Sequence, residues 1–456
     1  MKIIFANPPH IRTKNSSPQN NFKIDRFVFK PAYRKIKGFG RLFSFLNKNF
    51  GLGNGVRYGV RAGSRWPFTM PLPMNYTPYP FFMGYAAAYL KKNGFKVNIL
   101  DAIAEDEYSY KKFLKKVAAQ KADLVIIECS TPTIDIDIWF ANKVAAFSRV
   151  ALAGPHLNET TIKDIQKNNP LIKNYLIGEY ILSSLKLASS LKEGVYPAEV
   201  VKDLDSIPFP FRNYKSATKY YDPTMKTPKP QLQIYGSKGC PFKCTYCSWP
   251  QNMYFGNVLL RNPQKIAQEI KENVKQFGFK SIFFDDDTFN LDNDRISRLC
   301  DELKKIDLPW TMMGRLDCSP DWLFDKMVDS GCVGMRFGVE SFNLDVLKNV
   351  NKGLERTDFL STIKYLSEKY PKLMIHLTMM KDLPGQTEEI HLNDLKNLKK
   401  LGYDTKNSYR KYQLSCCVPF PGTKMYNDLI KEKGEAALND YSLYDGNRNT
   451  IIKNFK

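Results

Sequence analysis

The chain has 456 residues, 43% of them hydrophobic and 13% aromatic, with a formal charge of +22. That length predicts two or three domains rather than one core, and the apolar content excludes a disordered chain. No apolar run reaches the length of a membrane span, and the nine cysteines, scattered from Cys129 to Cys417, do not form a disulfide framework. Their pattern suits a reducing cytoplasm. The basic excess is mostly lysine and comes with no nucleic-acid-binding module, so it reads as a solvated basic surface.

The opening Met1–Pro9 is broken too soon for a secretory signal and reads as a first buried strand, Ile3 to Ala6. Residues 10–75 form a long basic excursion containing Arg34, Phe43, Phe45, Arg57, Arg61, Arg65 and Trp66. Loops of this length are functional or disordered. Its glycine-rich part, Gly51 to Gly63, suits either an anion-wrapping loop or a surface excursion, with membrane-surface contact a weaker third reading. Strands follow at Lys96–Leu100, Leu124–Glu128 and Val150–Ala153, with helices at Phe82–Asn93 and Tyr108–Gln120. Apolar runs alternating with amphipathic helices predict a doubly wound parallel sheet over 1–200. Its ligands would bind beyond the carboxyl ends of the strands, near Ser130, Thr131 and Gly154. Prolines at 208, 210, 223, 228 and 230 make 201–230 a linker.

A second α/β series is predicted over 231–430. Its strands are Gln231–Tyr235, Ser281–Phe284, Trp310–Gly314, Gly334–Val339, Met374–Met379 and Tyr412–Cys416. Helices at Pro263–Gln276, Asp292–Lys305, Asp321–Ser330, Thr357–Glu368 and Glu388–Leu401 complete a partial (β/α)6 barrel, with active residues at its carboxyl-terminal rim. The tail, 431–456, is too short for a third domain; Tyr426, Tyr441 and Tyr444 are expected to cap the barrel.

Early in that series stands Gly239-Cys240-Pro241-Phe242-Lys243-Cys244-Thr245-Tyr246-Cys247, a C-x3-C-x2-C loop. Iron–sulfur clusters usually take four thiolates, so three in one loop point to a [4Fe–4S] cluster with one open iron. Zinc favours paired C-x2-C units or added histidines, and none lies nearby. The strand-end phrases Asp285-Asp286-Asp287-Thr288, Gly338-Val339-Glu340-Ser341, Leu383-Pro384-Gly385-Gln386-Thr387 and Pro419-Phe420-Pro421-Gly422-Thr423 accompany it. So does the linker phrase Asp203–Pro210.

Together these segments resemble radical S-adenosylmethionine (SAM) enzymes that carry an amino-terminal cobalamin-binding domain. The resemblance implies a Rossmann-like cobalamin domain followed by the radical SAM barrel. It implies three cofactors: a [4Fe–4S] cluster on Cys240, Cys244 and Cys247, S-adenosylmethionine and cobalamin. Tyr246 would face the adenosine, Asp286, Asp287 and Glu340 would contact cofactor or substrate, and Ser130, Thr131 and Gly154 the cobalamin tail. Helix capping is the structural alternative for the aspartates, and an ion pair for Glu340 and Arg315. The D-x-H-x-x-G pattern of some relatives is absent, because Asp101-Ala102-Ile103-Ala104-Glu105 holds no histidine.

The activity implied is methylation of an unactivated carbon or phosphorus centre, through methylcobalamin and a 5′-deoxyadenosyl radical. The alternatives are a radical cyclase or rearrangement enzyme without methyl transfer, or a radical enzyme whose first domain only recognises its partner. The expected partners are a small-molecule or peptide substrate and a reductant such as flavodoxin or ferredoxin.

Overall fold

The computed structural model describes residues 1–12, 57–70, 75–434, 438–446 and 448–449. The stretch from Arg34 to Phe45 lies outside them. The chain divides into two compact units: Met1–Val201 with Pro208–Lys219 and Lys433–Asn447, and Lys202–Ile207 with Tyr220–Glu432 and Arg448–Lys456.

The first unit is built on six parallel strands: β1 (Lys2–Asn7), β2 (Lys96–Asp101), β3 (Leu124–Glu128), β4 (Arg149–Ala153), β5 (Asn174–Leu176) and β6 (Gly194–Tyr196). β3 reads Leu-Val-Ile-Ile-Glu and is buried at every position. A strand covered on both faces shows such a continuous apolar run instead of alternation. The connecting helices are α1 (Phe81–Lys92), α2 (Tyr110–Ala119), α3 (Ile134–Val144), α4 (Glu159–Asn168) and α5 (Ile181–Ser190). In α2, Tyr110, Phe113 and Val117 fall on one buried face, and the Ser109 side chain caps the start by accepting from the Lys112 amide.

The strand order is β2-β1-β3-β4-β5-β6. The chain leaves β1 on one side to make β2 and returns on the other to make β3. That reversal lies at the carboxyl ends of β1 and β3, where such sheets usually bind their ligands.

Two outlying segments are tied to this unit. Tyr79 donates to the Phe211 carbonyl at 2.8 Å, and the Arg212 guanidinium lies 3.9 Å from the Tyr79 ring centre. Residues 438–446 return to the same unit: Asp445 accepts from the Thr69 amide and hydroxyl, the Gly446 amide donates to Pro67, and Tyr441 packs edge-on against His156 at 4.7 Å. Tyr441 and Tyr444 therefore belong to the first unit, and Tyr426 to the second. The pull is local, since this stretch carries the Asp445 acceptor that Thr69 needs.

The excursion arginines also differ from the anion-binding expectation. Residues Ile11–Arg12, Arg57–Gly59 and Thr69–Met70 form a small antiparallel sheet. Arg57 donates to the Thr69 hydroxyl and carbonyl, both at 2.7 Å. Arg61 is fully buried, paired with Asp137 at 2.5 Å and bonded to the Glu128 carbonyl. Arg57 and the Nη2 arm of Arg61 are engaged in holding the fold.

The second unit has six parallel strands in sequential order: β7 (Gln231–Ile234), β8 (Ser281–Phe284), β9 (Trp310–Gly314), β10 (Cys332–Glu340), β11 (Met374–Lys381) and β12 (Arg410–Cys416). Between them run α6 (Pro263–Phe277), α7 (Asn293–Ile306), α8 (Asp321–Asp329), α9 (Phe359–Lys369) and α10 (Glu388–Lys400), and α11 (Lys424–Lys433) follows the last strand. Alternate strand residues, such as Met335, Phe337, Ile375 and Leu377, join the helices in one apolar core. The intervening residues leave a second, more polar sheet face. Buried Arg261 pairs with Glu269 at 2.7 Å and Asp205 at 3.1 Å, which fixes residues 202–207 to this unit.

Candidate functional site

The cysteine loop leaves the end of β7 and is clipped at its base, where Ser237–Lys238 pairs antiparallel with Leu259–Leu260. Gly239 has φ +85°, and a Cβ there would lie 2.0 Å from the Asn257 carbonyl, so only glycine fits. Every stretch of the loop has a brace. Asp286 accepts from the Gly236 amide at 2.9 Å and the Ser237 hydroxyl at 2.6 Å, and Asp287 accepts from the Gly239 amide at 3.0 Å. The Thr288 hydroxyl lies 3.3 Å from Cys240 Sγ. Asn351 holds the Lys243 carbonyl and Gln251 the Cys247 carbonyl, while Thr245 bonds through its backbone to Val350 and Met425. The Pro-Gly turn at 421–422 contributes too: Asn252 donates to the Pro421 carbonyl, and at Gly422 a Cβ would fall 2.3 Å from Asn252 Oδ1.

This loop gathers Cys240, Cys244 and Cys247 as free thiols. Burial pushes the Cys247 thiol well up, and the neighbouring Cys244 and Cys240 add to the rise while Lys352 opposes it. Burial likewise raises Cys240, against its contact with Thr288. Coordinated iron reverses that trend, because a ligating thiol is deprotonated outright. Among the described residues, no three His, Cys, Asp or Glu side chains draw close enough to share a single ion. Three thiols on one braced loop suit the separate irons of a cluster.

Tyr246 lies within the loop, and Glu340 and Lys352 stand beside it. Burial pushes the Tyr246 phenol well up, and the Glu340 charge is the next contribution. Glu340 closes β10 at φ +72°, a conformation rare for a side-chain-bearing residue, where the β10–β11 register shifts. Its Oε1 lies 3.0 Å from Lys352 Nζ, and both groups are buried. Burial acts to lower the Lys352 ammonium, but Glu340 and Cys244 outweigh it and hold it raised. Gly338 makes room for the pair, since a Cβ there would meet Glu340 Oε1 at 2.6 Å and Lys352 Nζ at 2.8 Å. Lys352 was not among the residues singled out in the sequence, and nothing in Asn349-Val350-Asn351-Lys352-Gly353 announces it. Arg315 forms a two-pronged ion pair with Asp317 and lies 3.6 Å over the Phe242 ring, so it supports the loop's outer edge.

In the first unit, Ser130 and Thr131 each take part in a buried hydrogen-bonded set. The Ser130 amide and Thr133 hydroxyl donate to Asp137, and Thr131 Oγ1 is 3.3 Å from His156 Nδ1. Gly154 has φ +109°, with Cys129 O only 2.6 Å from where a Cβ would sit. Burial lowers His156 to about 3, so its ring is neutral at pH 7. Asp101 accepts from Asn7 and from the Ile103 and Ala104 amides, turning the loop in which the histidine motif is missing. Arg61 Nε and Nη1 are buried without an acceptor.

Glu128, at the end of β3, accepts from the Tyr180 hydroxyl and is pushed by burial from 4.5 to about 7. Between these values the folded chain keeps a proton that the unfolded chain has released. Its contribution to stability is complete below pH 4.5 and is lost as the pH rises through about 7. Glu128→Gln should match the parent in thermal unfolding near pH 4. It should be the more stable protein near pH 8, by about 3 kcal/mol if the whole shift is expressed. Parallel profiles for the two proteins would contradict this.

Residues 234–398 match the family described as the radical SAM superfamily. The second unit carries a radical SAM domain. An uncharacterised methyltransferase of Pyrococcus horikoshii is 24% identical over 382 residues, covering 77% of this chain and 78% of that protein. Cytidylyl-2-hydroxyethylphosphonate methyltransferase of Streptomyces wedmorensis is 26% identical over 63% of this chain and 66% of its own length. Among solved structures, the radical SAM methyltransferase TsrM from Kitasatospora setae, with cobalamin and a [4Fe–4S] cluster bound, superposes with a TM-score of 0.60. The match has 16% identity and covers 77% of this chain and 75% of that one, which shows a shared α/β fold. The radical SAM domain contains the braced cysteine loop and the Glu340–Lys352 pair. The matched range ends at 398, before β12 and the 421–422 turn.

Proposed function

We propose that the chain is a cobalamin-dependent radical SAM methyltransferase acting on an unactivated carbon or phosphorus centre. The observation that carries this reading is the C-x3-C-x2-C loop, braced on every side within a domain of the radical SAM superfamily. Cys240, Cys244 and Cys247 would hold the [4Fe–4S] cluster. The adjoining Glu340 carboxylate and Lys352 ammonium match, in opposite charge, the ammonium and carboxylate of a bound S-adenosylmethionine. Tyr246 would flank its adenosine. Asp286 and Asp287 set the path of the loop by gripping its backbone.

The six sequential strands of the second unit are read as a partial (β/α)6 barrel, and the first unit as a Rossmann-like cobalamin domain. Its corrinoid would lie at the carboxyl ends of β1 and β3, against Ser130, Thr131, Gly154 and the free donors of Arg61. When bound, the cluster supplies the electron that cleaves S-adenosylmethionine, and the corrinoid carries a methyl group. The protein's own part is to fix the thiols, fit the amino-acid end of S-adenosylmethionine and exclude water. A reductant such as flavodoxin or ferredoxin would supply the electrons. Among the described residues, no helix is long and apolar enough to cross a membrane.

A second reading, in which the first unit is a recognition module, has one observation in its favour. The chain's own Tyr441 covers His156, and Ser130 and Thr131 are already buried. Anaerobic incubation with hydroxocobalamin followed by desalting separates the two. Retention of one corrinoid per chain supports the cobalamin reading, and complete loss of corrinoid supports the recognition module.

A further inference from the structure

On the sheet face turned away from the helices, Arg336 of β10, His376 of β11 and Lys411 of β12 stand side by side in register. Arg336 is fully engaged: Nη2 pairs with Asp222 at 2.7 Å and Nε donates to His376 Nδ1 at 3.0 Å. A guanidinium only donates, so Nδ1 must accept, and the imidazole proton sits on Nε2. His376 is 2% exposed, and its Nε2 has no hydrogen-bond partner. The adjoining Lys411 is half-buried and makes no ion pair among the described residues. Two strand positions on, Thr378 and Gln413 are again in register and half-buried, and they extend the polar face towards the strand ends.

The row thus holds two cations against one carboxylate, Asp222, which is already paired with Arg336. Burial together with Arg336 and Lys411 keeps His376 well below its ordinary value, so it is a neutral donor. A buried N–H without an acceptor is costly, and a half-buried ammonium beside it lacks its counter-charge. An anion between His376 Nε2 and Lys411 Nζ would satisfy both.

We propose that His376 and Lys411 form a subsite for an anionic group, carboxylate or phosphate, on the molecule that this unit acts on. That the anion belongs to a substrate rests on the catalytic reading above; that the pair takes an anion rests on the donors alone.

The test uses the full chain with its cluster reconstituted, carrying 13C at histidine Cε1. The four histidines of the sequence give four signals, assigned with His376→Gln. Sodium acetate and inorganic phosphate are titrated separately at constant ionic strength. The His376 signal should move saturably with at least one of them, while those of His10, His156 and His391 stay in place. The tighter of the two anions names the group. Lys411→Met should weaken that binding at least about tenfold, as expected on losing one charge-assisted hydrogen bond. Unchanged His10, His156 and His391 signals will show that this variant is folded. No saturable shift with either anion, or equal affinity in Lys411→Met, would overturn the proposal. Failure to cleave S-adenosylmethionine would overturn the catalytic reading and leave the anion response intact.

Discussion

Replacing Cys240, Cys244 and Cys247 together by alanine should remove the iron–sulfur cluster and abolish reductive cleavage of S-adenosylmethionine. After anaerobic reconstitution the parent chain should carry about four irons, the content of one such cluster, and the triple variant almost none. The fold should survive, because the loop is held from outside its thiols. Its braces are Asp286 and Asp287 on the backbone of 236–239, Asn351 on Lys243, Gln251 on Cys247 and Asn252 on Pro421. Circular dichroism of the variant should therefore match the parent. Iron content near that of the parent, or continued cleavage, would show that the cluster lies elsewhere.

The second large effect is expected at Glu340. Glu340→Ala leaves the Lys352 ammonium buried with no counter-charge, a situation that typically costs about 3–5 kcal/mol. Glu340→Gln with Lys352→Met removes both charges at similar volume and should recover most of that stability in thermal unfolding. Neither variant should couple S-adenosylmethionine binding to cleavage, because both lose the carboxylate that would meet its ammonium. If the single variant is as stable as the parent, the pair is not an energetic unit. If the double variant cleaves S-adenosylmethionine at the parental rate, the pair has no part in gripping it.

Both predictions involve residues that the sequence revealed unequally. Strand–helix alternation is plain wherever burial on both faces forces long apolar runs. Leu124–Glu128, Ser281–Phe284 and Trp310–Gly314 have the same limits in sequence and structure. β5 and β6 escaped notice because each has only three residues, with β5 opening on the polar Asn174 and β6 partly exposed. The cysteine loop was legible because ligand spacing is a local property of the chain.

Lys352 was not legible, since its meaning comes from Glu340, which a register shift in β10 turns towards it. The inward setting of Arg61 was hidden for a related reason. Charge in a glycine-rich stretch suggests solvent and anions, but Arg61 meets Asp137, whose position on α3 only the fold reveals. For Asp286 and Asp287 the sequence suggests cofactor contact or helix capping, whereas their backbone partners lie at Gly236 and Gly239, well back along the chain.

The central claim, radical methyl transfer, is tested most directly by one labelling experiment. The reconstituted enzyme is incubated anaerobically with hydroxocobalamin, a reductant, S-adenosylmethionine bearing a CD3 group, and metabolite extract of its own source. The account predicts a product heavier by one CD3 group in place of one hydrogen, accompanied by both 5′-deoxyadenosine and S-adenosylhomocysteine. Formation of 5′-deoxyadenosine with a new product that carries no label would contradict it, and would assign the radical to a rearrangement or cyclisation instead.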